Sequence, residues 1–188
     1  MEMVVAAPSG ETMEQLVPAL IRARRENADL AAVMLRPGAP AEALPDGLPA
    51  DLRRLLALTD GPSFGVRASV HSAAKIGYFQ GLDVLADAAG IPNVEDYLNI
   101  GFVNEAPLLF DTTDGSILVV RPDLGLWYQG CSLERIADNI DGFMSEWVAG
   151  PRFPELVRTP AKAENEDDSD LAWDDWWRLL QAAGRVPA

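Results

Sequence analysis

Residues 97–128 carry three apolar runs separated by short polar turns, and that spacing leaves few folds open. Tyr97, Leu98, Ile100, Phe102 and Val103 form the first run, Leu108, Leu109 and Phe110 the second, and Ile117 to Val120 the third. Each has the length of a strand and is too short for a helix of its own. The second and third are divided by Asp111-Thr112-Thr113-Asp114-Gly115. An Asp-Gly pair accepts the left-handed backbone that tight hairpins require. A further turn, Pro122 to Gly125, precedes Leu126, Trp127 and Tyr128, which predict one more short strand. Strands joined this closely pair with their neighbours in opposite directions, so the segment predicts an antiparallel meander.

Helical spacing surrounds it. Met13, Leu16, Val17, Leu20 and Ile21 recur at the intervals of an amphipathic helix, started by Thr12 or Ser9 and bent by Pro18 if that residue falls beyond the first turn. Leu30 to Leu35 predict a strand closed by Pro37-Gly38, and a linker rich in Pro, Gly and Ala runs to Gly47. Leu48-Pro49 opens a short helix through Leu52, Leu55, Leu56 and Leu58, stopped at Asp60-Gly61-Pro62. Residues 63–80, with Phe64, Val66, Val70, Ile76, Tyr78 and Phe79, predict irregular strand and loop, and Leu82 to Ala89 a helix ended by Gly90 and Pro92. After Ser132, the apolar spacing from Leu133 through Ile136, Ile140, Phe143 and Met144 to Trp147 and Val148 predicts one long helix covering a face of the sheet. The tail predicts a mobile acidic linker over residues 164–175. A helix bearing Trp173, Trp176, Trp177 and Leu180 follows, started near Ser169, stopped at Gly184 and packed on the core in preference to serving as a partner site. The organisation expected is α+β. Residues 1–47 hold a helix, a strand and a linker, residues 48–150 the α+β core, and residues 151–188 the acidic linker and tryptophan-rich helix.

Charge narrows the partners. The 188 residues hold 15 basic and 29 acidic side chains, a net charge of −14 and a pI near 4.3. Such a surface repels phosphate backbones and anionic membranes and attracts basic proteins, though acidity also serves solubility. Cys131 stands alone, so no intrachain disulfide is possible and a reducing compartment is expected. No secretory leader and no apolar stretch of membrane-spanning length is evident, which points to the cytoplasm. Arginine far outnumbers lysine and alanine is abundant, as in a GC-rich bacterial genome.

Reactive groups are sparse. A hydrolase triad needs a base, and the single histidine, His71, lies in a weakly patterned stretch where an ordinary surface or loop role is favoured. Nothing around Cys131 suggests an activated thiol. One histidine and one cysteine do not make an ordinary zinc site, and Asp111-x-x-Asp114-Gly115 lacks the further oxygens of a calcium loop. Neither glycine-rich nucleotide cradle is present. The expectation is no catalytic residue, no metal, no cofactor and no enzymatic activity.

The order of features over residues 48–148 resembles the SUKH superfamily, which includes bacterial immunity proteins and a yeast regulator of cell-wall assembly. The matching elements are the Leu48-Pro49 helix ending at Asp60-Gly61, the strand closing on Ile100-Gly101, and the Leu108-Leu109-Phe110 and Ile117-Leu118-Val119 strands about Asp114-Gly115. A final helix with Phe143 in its second half completes the set. Residues Phe102 to Pro107 stand where members often carry a glycine-rich segment. The resemblance implies a bent antiparallel sheet packed with helices, with helical extensions at both termini of this chain. It also implies a non-catalytic protein-binding role, as an immunity protein neutralising a cognate and often nuclease toxin. The alternative it offers is a regulator or scaffold linked to cell-wall assembly or signalling. A basic toxin domain is then the expected partner, with Glu105, Asp111 and Asp114 presenting charge and Trp127 and Tyr128 as hot-spot aromatics. Each of these five also has a plainer role, in a turn or in the core, that the sequence favours.

Overall fold

A computed structural model describes residues 11–76, 81–91, 93–123, 125–158 and 168–187. Six strands, β1 (Ser63–Phe64), β2 (Ala68–Val70), β3 (Tyr97–Val103), β4 (Ala106–Asp111), β5 (Ile117–Pro122) and β6 (Cys131–Ala137), form one antiparallel sheet in sequence order. The meander predicted over residues 97–128 is its centre. The Asp-Gly turn joins β4 to β5, as expected. Asp111 Oδ1 accepts from the Thr113 N–H at 2.8 Å, and the Gly115 N–H donates back to the Asp111 carbonyl at 2.9 Å. Gly115 takes φ +81, which only glycine adopts freely.

The sheet is buried on both faces. Val70, Leu108, Phe110, Ile117 and Val119 point into the main core with α1 (Met13–Glu26), α2 (Ala50–Leu58) and the C-terminal elements. On the other face Leu109, Leu118, Val120 and Cys131 pack under α4 (Leu82–Ala89) and a 3-10 turn, Trp127–Gln129. A four-residue helix, α3 (Ala73–Ile76), follows β2 and buries Ala73 and Ile76 in the main core. Register shifts between Asn99 and Gly101 and between Ile117 and Leu118 mark β-bulges, where a strand gains twist.

Several expectations are corrected. The long helix predicted over residues 133–148 is instead β6 followed by a helical turn, α5 (Ile140–Gly142), and a π-helix, Phe143–Val148. The reason is tertiary. The β5 residues Ile117 to Val120 are all buried, and the outer edge of that strand needs a hydrogen-bonded neighbour. β6 supplies it by pairing from Ala137 to Cys131. Asn139, not Ser132, caps the shortened helix, accepting from the Gly142 N–H at 2.8 Å. Residues 30–35 make no strand; Met34 alone forms a β-bridge, with Ser63. Trp127 and Tyr128 lie in the 3-10 turn rather than a strand. Pro18 sits on the exposed side of α1, and the helix runs through it.

The tail helix, α7 (Asp175–Ala182), starts at Asp174 rather than Ser169. Trp176 is fully buried against Phe64, with ring centroids 4.8 Å apart, and its Nε1–H donates to the Val148 carbonyl at 2.6 Å. Leu179, Leu180 and Val186 join the same core as Met13 and Leu16 of α1. Arg185 ties the two ends of the chain, donating to the Ala149 carbonyl and to Glu11. Ser9, Tyr78, Phe79, Pro92 and the acidic linker before Asp168 lie outside the described residues.

Candidate functional site

The five residues singled out by sequence fall at two ends of the sheet. Glu105 occupies the turn between β3 and β4, with φ +68 beside Asn104 at φ +47. Asp111 and Asp114 occupy the turn at the far end of β4, which is six residues long. At ~3.3 Å per residue the two turns are about 20 Å apart, so these carboxylates cannot serve one small site. The connection between β5 and β6 returns to the Glu105 end, carrying Trp127 and Tyr128 with it.

Asp111 and Asp114 are committed to their turn. Asp111 is bonded to Thr113, and Asp114 Oδ1 accepts from the Ser116 N–H at 2.9 Å while Oδ2 pairs with Arg135 at 2.7 Å. Hydrogen bonds from Ser116, and then from Arg135, hold the Asp114 carboxyl below the ordinary carboxylate range. The aromatics divide. Trp127 wedges partly into the second core beside Leu85, whereas Tyr128 remains half exposed, its ring edge-on to Trp127 at 5.8 Å.

The reactive side chains hold structural positions. His71 lies in a loop, as expected, but is buried under the Phe102 ring rather than at the surface, with centroids 4.9 Å apart; burial, then Lys75, push its pKa down. A neutral imidazole is therefore favoured at physiological pH. Burial, then Asp123, push the Cys131 thiol up, opposite to what a nucleophile needs. Asp174 caps α7, its Oδ1 accepting from the Trp176 and Trp177 N–H groups at 2.9 and 3.2 Å. Among the described residues no cluster of three metal-ligating side chains occurs, and no helix is long and apolar enough to cross a membrane.

Charge is distributed unevenly. From Ile76 to Val120 the chain has no lysine or arginine, while Asp83, Asp87, Glu95, Asp96, Glu105, Asp111 and Asp114 all fall there. This block builds α4 and the three central strands. Several arginines elsewhere are neutralised at home: Arg54 by Glu14, Asp51 and Asp141, Arg121 by Glu134, Arg152 by Glu155, Arg178 by Asp29. Among the described residues, no basic side chain pairs with Asp83 or Asp87 on α4.

An apolar surface lies beside those acids. Val84 of α4 is 50% exposed, and Leu126 and Tyr128 flanking Trp127 are 46% and 51% exposed. The helix and the turn are in direct contact through the second core. Sequence reasoning named Tyr128 but missed Val84, Leu126, Asp83 and Asp87. The available signal was the helical wheel of α4, where Leu82, Leu85 and Ala89 share one stripe and Val84 falls off it beside an acidic i, i+4 pair. Among the described residues the other exposed large apolar side chains are Met34, Val66 and Trp173; Arg67 and Asp174, next to the last two in sequence, approach to 3.9 Å. Neither the family models nor the curated proteins contain a match to this chain.

Proposed function

We propose that this chain is a non-catalytic protein-binding module that neutralises a basic partner, an immunity protein of the SUKH kind directed at a toxin domain. The observation that carries the reading is the block from Ile76 to Val120, free of lysine and arginine, which sets seven carboxylates on the sheet and helix, with Asp114 ion-paired to Arg135 and no ion pair to Asp83 or Asp87 among the described residues. Fixed charge of one sign steers an oppositely charged protein into encounter, raising association rates well above those of neutral pairs. The resemblance of the ordered sequence elements to SUKH proteins, whose final helix is here shortened by β6 to begin at Ile140, suggests the toxin class, and nuclease toxins, themselves basic, suit this surface. Nucleic acid and anionic membranes are repelled by the same field. The lone, buried Cys131 suits action in the cytoplasm.

The test is whether a toxin domain is encoded beside this gene and associates with the purified chain, followed by stopped flow at rising salt. Screening acts over about 10 Å at 0.1 M and about 3 Å at 1 M, so the rate should fall at least tenfold between those concentrations. A rate indifferent to salt, or the lack of a complex, would overturn the reading. A regulatory or scaffold role is favoured by one observation only. Trp173, 85% exposed, stands immediately before the buried cap of α7. Trp173→Ser should leave toxin binding unchanged under the first reading and abolish partner binding under the second.

A further inference from the structure

We infer that α4 and the adjoining Trp127–Gln129 turn form the docking face, and that its occupant is a helix of the partner with an apolar stripe flanked by lysine or arginine. The inference rests on the binding role proposed above and adds where and what it binds. Its first support is composition at one place: Val84, Leu126 and Tyr128 expose apolar surface on two elements that touch, and Asp83 and Asp87 lie one helical turn apart beside it. An apolar centre with a charged margin is the anatomy of a protein interface.

The second support is rigidity. Leu85 is completely buried beneath α4, and Trp127 is packed in the same small core. The edge-on contact between Trp127 and Tyr128 restricts the tyrosine ring before anything binds. A preformed aromatic loses little freedom on association, which is what a hot spot requires.

Charge decides the occupant. A second copy of this chain would bring Asp83 and Asp87 against carboxylates of its own kind, each copy bearing −14. Like charges in a desolvated interface repel strongly. A purely basic, apolar-free chain would pair with the acids but leave Val84, Leu126 and Tyr128 uncovered. A helix whose leucine-type ridge lies between rows of cations satisfies both, and α4, about 12 Å long, offers a ridge against which two to three turns can lie.

The experiment uses the full chain, labelled with 15N, and two fluorescein-tagged peptides of equal charge. One has lysine and leucine in helical amphipathic order; the other is oligolysine with glycine in place of leucine. The expected result is 1:1 binding of the amphipathic peptide, with amide shifts confined to residues 82–89 and 126–129 and oligolysine at least tenfold weaker. The double variant Val84→Ser, Tyr128→Ser should weaken the amphipathic peptide at least tenfold with its melting temperature unchanged, since both side chains are half exposed. Equal binding of both peptides, with shifts scattered to Asp111 and Asp114, overturns this face while leaving a basic partner in place. Unchanged binding by the double variant also overturns it. If neither peptide binds, this inference falls, and the toxin-association measurement above then decides the basic-partner reading by itself.

Discussion

Replacing Trp176 with phenylalanine tests whether the tail helix is part of the core or a detachable appendage. The indole is fully buried and spans from Phe64 on the first strand to the Val148 carbonyl at the end of the π-helix. Phenylalanine keeps an aromatic ring but removes the Nε1–H, leaving that carbonyl without its 2.6 Å donor. A buried acceptor left unsatisfied costs about 1–3 kcal/mol. The smaller ring leaves a void of roughly 40 Å³, which at ~24 cal/mol per Å³ adds about 1 kcal/mol. The expected loss is therefore about 2–4 kcal/mol, a large share of the ~5–15 kcal/mol typical of a domain. Urea unfolding followed by far-UV circular dichroism reads it as a lower midpoint with an unchanged slope, because the same surface is exposed on unfolding. Thermal melting should drop by roughly 5–15 °C. A loss below ~0.5 kcal/mol, or a separate early transition confined to α7, would refute the argument that one core runs from α1 to α7. The same burial means that cutting away residues 160–188 would strip Trp176, Leu179 and Leu180 from the core, so tail function is properly probed at exposed Trp173.

Two further outcomes follow from single residues. The Asp174 carboxyl is pushed above its usual range by burial, partly opposed by the Trp177 and Trp176 N–H bonds and by Arg67. Its folded pKa thus exceeds the unfolded value, the native state holds a proton that the unfolded chain releases, and stability falls as pH rises through the folded value. Asp174→Asn keeps the helix cap and should remove that pH dependence, so the wild type gains on the variant as pH is lowered from 7 towards ~4. Asp174→Ala should cost about 1–2 kcal/mol; the opposite pH sign in matched urea titrations would sink the account. At Gly101 a Cβ would run into the Ser69 carbonyl across the β2–β3 pair. Gly101→Ala should therefore cost about 3 kcal/mol or more by prying the strands apart, measured by the urea midpoint; a neutral result would show that the sheet yields there.

Much of the fold was legible because the signals were local. The β4–β5 hairpin needs only its own turn chemistry, in which Asp111, Asp114 and Gly115 each satisfy backbone groups two to four residues away. Helix α2 is bounded by Pro49 and Thr59 with Leu52, Leu55 and Leu56 buried, as the leucine spacing predicts. Helix α4 has the bounds predicted for it, from Leu82 to Ala89. The stripe of α1 lacks one predicted member, Ile21, which is only partly buried, and gains Ala23 instead.

Other features needed the assembled structure. Residues 133–136 read as helix by their spacing, and only the demand of buried β5 for a hydrogen-bonded neighbour turns them into β6. The candidate docking face was equally hidden. Nothing in residues 82–89 or 126–128 alone tells that the two will touch, since both come to the second face of the sheet by packing on the same cluster as Leu109, Leu118 and Val120. The placement of Trp176, 112 residues from the ring it packs on, is of the same kind. The sequence by itself determined the charge, the turns and the central meander, because these depend on neighbours within a few residues. Which strand closes the sheet, which aromatics are buried and which acids stand beside exposed apolar surface were decided by tertiary packing, because burial is a property of distant surfaces meeting and no local pattern encodes the partner.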